Sequence, residues 1–221
     1  MITHPPIEHD RYFHIYNRGI NSCDIFHDEQ DYARFLKLAT IFLLPVADIY
    51  AYALMRNHFH LALYVKEEAK IGYLSPENRK TENLELKWKT HFPAKEDIDN
   101  AEKKKPNPER MVQHFFIAYA KYFNAKRKRT GSLFEYKFKR IGINSEEYLK
   151  ALIVYIHKNP LKHRVFRDFW EYPYISYTTF IKDKATKLDR DSVLHLFDGK
   201  QNFIEAHLKE TEYDIDELTF E

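Results

Sequence analysis

Residues 47–65 constrain the fold most. ADIYAYALMR and FHLALYV alternate apolar and polar side chains with a period of two, which reads as two adjoining strands. The Arg56-Asn57 pair between them suits a tight hairpin connection. An isolated hairpin is not stable, so neighbouring segments have to supply more strands and a covering layer. Arg11 to Gly19 (RYFHIYNRG) is aromatic and extended, a strand ended by glycine. Asp28 to Leu44 reads as a helix: Asp28 caps it, and Tyr32, Phe35, Leu36, Ala39 and Phe42 recur at helical spacing before Pro45. Glu109 to Lys128 is a long amphipathic helix, and Leu133 to Ile143 alternates as a strand. Ser145 caps a last core helix, which Pro160 is expected to stop. The order β-α-β-β-α-β-α predicts an α+β, ferredoxin-like (RRM-like) core with an antiparallel sheet.

Lys66 to Pro108 has another character. Its 10 Lys+Arg, 9 Asp+Glu and several prolines read as a charged insertion, with one short helix near Leu84 to Trp88. Leu161 to Tyr177 is aromatic and irregular, followed by short helices at Asp191–Phe197 and Phe203–Lys209. The expected organisation is a core domain over 1–160, with 66–108 as its charged insertion, and a small helical extension with an acidic tail over 161–221.

Composition removes several classes of function. Cys23 is the single cysteine, so one chain holds neither a disulfide framework nor a cysteine metal site. The five glycines lie too far apart for a dinucleotide or P-loop cradle, so no nucleotide cofactor is expected. Pro45 and Asp48 interrupt the most apolar stretch, and Met1 to Asp10 lacks a signal-peptide pattern. These features predict a cytoplasmic protein without a membrane partner. His4, His9 and His14 share no metal-ligand spacing and read as scattered surface histidines.

Three groups could carry chemistry. His58 and His60, at i and i+2 on a strand, point to one face, where two imidazoles can share a divalent ion; the alternative is two polar residues on a strand. Tyr155 and Asn159, at i and i+4, lie one turn apart on a helix; the alternatives are core packing and a helix stop. Between Lys121 and Arg140 stand Lys121, Lys126, Arg127, Lys128, Arg129, Lys137, Lys139 and Arg140 against Glu135 alone, a net of +7. Tyr122, Phe123, Phe134, Tyr136 and Phe138 are interleaved, a pattern suited to single-stranded nucleic acid, or else to a solvated helix end. The chain's net charge of only +2 hides this patch because Asn202 to Glu221 carries a net of −6.

Together these segments resemble a known family. YAYALMRNHFHLALYV resembles the strand pair Y-x-x-M-x-N-H-x-H-L-L of HUH tyrosine transposases, and RYFHIYNRGINSCDIF resembles their opening H-x-x-x-R-G strand. GSLFEYKFKRIGI, YLKALIVYIHKNPLKHRVF and PYISYTTF are similar to segments of the REP-associated tyrosine transposases. The resemblance implies that His58, His60 and Asn159 hold Mg²⁺ or Mn²⁺ and that Tyr155 is a nucleophile forming a 5′-phosphotyrosine. It further implies single-stranded or hairpin DNA as partner and a monomer or homodimer. Arg18, Arg140 and the basic cluster would contact DNA, and Lys158 could assist the tyrosine. Two other readings stay open: a non-catalytic hairpin-binding protein, and a metal-dependent nuclease that uses water.

Overall fold

The computed structural model describes residues 5–92, 104–135 and 138–209. Strands β1 (Arg11–Arg18), β2 (Ala47–Leu54), β3 (His58–Val65) and β6 (Lys139–Ile143) form a four-stranded antiparallel sheet in the order β2-β3-β1-β6. This is the ferredoxin-like order expected from the sequence. Helices α1 (Glu29–Phe42) and α3 (Pro108–Lys126) cover one face, and α4 (Glu146–Lys162) covers the other.

The period of two sorts the strand residues between these layers. Phe13, Ile15, Phe59, Leu61 and Leu63 pack against Phe35, Leu38, Phe115 and Tyr119 of α1 and α3. The alternate residues of β1 and β3 face α4. A bulge between Ile49 and Ala51 turns both Tyr50 and Ala51 to the α4 side. Ala51, Ala53 and Ala62 are small there, so the side chains of Leu149, Leu152, Ile153 and Ile156 meet the sheet directly. Asp28 and Ser145 accept the backbone N–H of Asp31 and Tyr148, the capping bonds anticipated for α1 and α4.

The structure departs from the sequence reading in four places. First, α4 runs through Pro160 to Lys162. Proline in the last turn forfeits one helix bond, and the burial of Asn159 and Pro160 against the fold holds the turn in place. Second, the strand expected over 133–143 is regular only from Lys139. Leu133 and Phe134 are both buried, which breaks the alternation; Phe134 makes only an isolated bridge to Gly19. Third, residues 174–176 pair with β2 through Leu54 N–H to Tyr174 O (2.9 Å) and Ser176 N–H to Tyr52 O (3.0 Å). They lead into α5 (Tyr177–Ile181), which the sequence did not announce. Fourth, His14 is fully buried.

In the 66–108 stretch, β4 (Tyr73–Leu74) pairs with β5 (Thr90–His91), and α2 (Leu84–Lys87) is the anticipated short helix. Helices α6 (Arg190–Leu196) and α7 (Lys200–Leu208) pack Val193, Phe197 and Phe203 into the α4-side core. The acidic tail beyond Lys209 lies outside the described residues. No described helix is long and apolar enough to cross a membrane.

Candidate active site

The β1–β3 register sets Tyr16 opposite His60 and His14 opposite Ala62. Tyr16, His14, His58 and His60 therefore share the face that α4 covers. On α4, Tyr155 and Asn159 lie one turn apart and point back at the sheet. His58 Nε2 stands 3.0 Å from Asn159 Oδ1, and His58 Nδ1 stands 2.7 Å from Asn57 Oδ1. The Tyr155 ring meets His60 edge-on at 5.5 Å between centroids and His14 at 6.4 Å. His14 Nε2 bonds His60 Nδ1 at 2.9 Å. The two residues predicted from β3 and the two from α4 thus converge from elements about a hundred residues apart.

Three neighbours were missed in the sequence. His14 was read as a surface residue, yet it orients His60. The period of two along β1 puts it on the side of Tyr16 and Tyr12, and only the pairing of β1 with β3 places that side over the histidines. Lys162 Nζ lies 5.2 Å from the Tyr155 ring centroid, a cation at the position anticipated for Lys158. Lys158 instead donates to Lys209 O at 2.7 Å and ties α4 to the end of α7. His163 lies 4.6 Å from His58, ring to ring.

Burial decides the protonation of the two inner histidines. It pulls His14 down to about 3. His60 also falls well below its ordinary value, by burial first and then by the neighbouring His14, His58, His163 and Lys162. Both rings are neutral at pH 7, and neutral imidazole is the form that binds metal.

Among the described residues, no group of three or more His, Cys, Asp or Glu is gathered as a metal site. A third donor beside His58 and His60 would therefore be the Asn159 amide. In the orientation assigned to Asn57 and Asn159, both nitrogens of His58 face amide oxygens. Two ligands at right angles on one cation, each about 2.1 Å away, stand roughly 3.0 Å apart. The His58–Asn159 separation fits that spacing. The Asn159 Nδ2 is buried and has no hydrogen-bond partner among the described residues. Turning the amide over would move that unsatisfied position to its oxygen without removing it. The residues therefore fit a divalent ion. With two imidazoles and one neutral amide, they suit Mn²⁺ better than Mg²⁺, which prefers oxygen.

A small cavity of about 10 Å³ opens beside His58 and His60, room for one water-sized occupant. Arg18 and Lys139, two of the residues expected to contact phosphate, line it. Glu135 approaches them only loosely, at 3.9 and 4.0 Å.

The other basic residues are dispersed. Lys126 and Arg127 grip Asp28 and Asp31 and clamp the end of α3 to the start of α1. Arg129 holds the following turn through Asn124 Oδ1 and Ser132 O, both at 3.1 Å. Arg140 pairs with Glu109 at 2.9 Å. Lys121 and Lys128 are exposed. Lys137 lies outside the described residues.

No protein-family model and no curated protein matches the chain. A solved structure of a REP-associated tyrosine transposase bound to a REP hairpin is similar in fold. The two are 11% identical, with a TM-score of 0.51, over 82% of this chain and 86% of that one. In its architecture, a four-stranded antiparallel sheet between helices, this chain is similar to a REP-associated tyrosine transposase.

Proposed function

We propose that this protein cleaves and rejoins single-stranded DNA at a hairpin-forming site, with Tyr155 as nucleophile. The observation that carries the reading is the Tyr155 ring standing 5.5 Å from His60, beside the His58–Asn159 pair, in one chain. The neighbour solved on a hairpin supports the substrate class.

In this reading the Tyr155 oxygen attacks a phosphodiester phosphorus. The bond to the 3′ oxygen breaks, the phenol gives up its proton and the leaving 3′ oxygen gains one. A 5′-phosphotyrosine and a free 3′-hydroxyl result. One phosphoester replaces another, so the step needs no nucleotide fuel, in keeping with the lack of a phosphate-binding loop. Attack by a 3′-hydroxyl on the phosphotyrosine reverses the bonding and joins a new strand.

His58, His60 and Asn159 would hold a divalent ion, which supplies Lewis-acid polarisation of the phosphate when bound. His14 keeps the His60 ring turned through its bond to Nδ1. Arg18 and Lys139 would take phosphate oxygens in place of Glu135. Lys162, with its ammonium 5.2 Å from the Tyr155 ring centroid, would place a positive charge beside the attacking side chain.

The test mixes the protein with hairpin DNA bearing single-stranded flanks and Mn²⁺, followed by denaturing electrophoresis. A covalent protein–DNA adduct is expected, absent in Tyr155→Phe and reduced at least about a hundredfold in His58→Ala. Cleavage that survives Tyr155→Phe would assign the attack to water. Tight hairpin binding without cleavage, unchanged in His58→Ala, would assign a binding protein.

A further inference from the structure

The outer face of α3 carries a second basic and aromatic site, away from the histidines. Arg110, His114 and Lys121 lie along one side of that helix, and Trp88 and Lys87 lean over it from the end of α2. A cavity of about 260 Å³ is walled by Lys87, Trp88, Lys104, Arg110, Met111 and His114. A second, of about 530 Å³, shares Lys87, Trp88 and His114 and adds Arg34 and Lys121. Both cavities border Lys87, Trp88 and His114, and the groove-like face of α3 that they follow runs about 16 Å from Arg110 to Lys121.

The charge that the described residues bring to the groove is one-sided. Among them, no carboxylate lines either cavity. Arg34, Lys87, Lys104, Arg110 and Lys121 form no ion pair among the described residues, which include five of the 9 Asp+Glu of residues 66–108. The Trp88 ring is half-buried, with its centroid 5.1 Å from the His114 ring and 5.8 Å from Phe42. Partial burial, then Lys87 and Arg110, hold His114 below its ordinary pKa, so it stays neutral beside those cations.

We infer that this groove binds nucleotide units, with a base stacked on Trp88 and phosphates held by Arg110, Lys87 and Lys121. Five cations with no carboxylate beside them among the described residues favour a polyanion. An aromatic wall beside them favours an unpaired base, which duplex DNA does not offer. At the rise of a stacked strand, the groove accommodates up to about five nucleotides. It lies on the α1–α3 side of the sheet, whereas His58, His60 and Tyr155 lie on the α4 side. The inference does not depend on the chemistry proposed for Tyr155.

Trp88 and Trp170 are the two tryptophans, so Trp170→Phe leaves Trp88 as sole reporter. The full-length Trp170→Phe protein is titrated without divalent metal at low salt. The probes are a thymidine pentanucleotide, thymidine monophosphate, thymidine and inorganic phosphate, and tryptophan fluorescence is read. Saturable quenching by the pentanucleotide is expected, weakened at least about tenfold by Arg110→Glu with Lys121→Glu. Both positions are exposed, and an unchanged melting temperature would show that the double variant is folded. A monophosphate that binds as tightly as the pentanucleotide would make the occupant a free nucleotide; a weaker one would make it a strand. No quenching, quenching untouched by the charge reversals, or phosphate alone binding as well as the nucleotides would overturn the inference.

Discussion

His14 shows how one side chain acts through another. In the proposed site it acts only through His60: its Nε2 bonds His60 Nδ1 and leaves Nε2 of His60 as the nitrogen that would face an ion. Partners of metal-binding histidines typically contribute ten- to a hundredfold to affinity. His14→Ala is expected to weaken Mn²⁺ binding by about that factor, as read by electron paramagnetic resonance of the free ion. Unchanged Mn²⁺ affinity in a folded His14→Ala protein would remove His14 from that role. His58 and His60 were legible in the sequence because strand periodicity alone puts them on one face. His14 stood in the sequence as the histidine of the H-x-x-x-R-G resemblance, but its contact with His60 was not legible, because it depends on which strand lies beside β3.

Among the elements, α1 and α3 are joined by the most concentrated ion-pair cluster in the described structure. The Asp31 carboxylate is fully buried. It accepts from Arg127, from Lys126 Nζ at 3.2 Å, from the His27 N–H at 2.8 Å and from the Tyr122 hydroxyl at 3.2 Å. Burial raises its pKa, but the His27, Arg127 and Lys126 donors outweigh this and lower it overall. Removing one partner of such a pair leaves a charge without compensation. Asp31→Asn is expected to destabilise the protein by about 3 kcal/mol in urea unfolding. A similar argument of fit applies where β1 ends. A Cβ on Gly19 would lie 2.0 Å from the Cys23 carbonyl oxygen, a backbone atom that cannot swing away. Gly19→Ala is therefore expected to cost about 1–3 kcal/mol, seen as a lower denaturation midpoint. The sequence marked Gly19 only as a strand end. The close approach that requires glycine belongs to the turn that follows.

At the scale of the whole molecule, a buried polar chain links the sheet to the C-terminal helices. The Tyr52 N–H donates to Ser176 Oγ at 2.9 Å, and the Ser176 hydroxyl meets His157 Nε2 at 2.7 Å. His157 Nδ1 meets His207 Nε2 at 2.8 Å, and His207 Nδ1–H donates to Phe203 O at 2.7 Å. That last donation assigns the His207 proton, so His157 donates to His207 and Ser176 donates to His157. Burial pulls His207 down to about 4 and His157 well below its ordinary value. An unfolded histidine takes a proton below about pH 6.5, and the folded His207 resists until about 4. Between those values the unfolded chain binds more protons. Stability is therefore complete above about pH 6.5 and falls as the pH drops toward 4. His207 alone contributes on the order of 3 kcal/mol to that loss. Urea unfolding across this range is expected to show the decline, with a shallower slope in His207→Gln.

The sequence by itself determined the strand and helix order, the pairing of His58 with His60, the one-turn spacing of Tyr155 and Asn159 and the concentration of basic charge. Each is a matter of local period or local count, which no distant residue alters. The tertiary structure decided what those residues meet. It buried His14 beside His60, carried α4 through Pro160 and put Lys162 rather than Lys158 at Tyr155. It assigned Lys126 and Arg127 to Asp28 and Asp31 and left Arg18 and Lys139 at the histidines. A charge read along a chain carries only its sign. Its use is set by the carboxylate or the open cleft that folding brings within reach, across separations of tens to a hundred residues that no local pattern records.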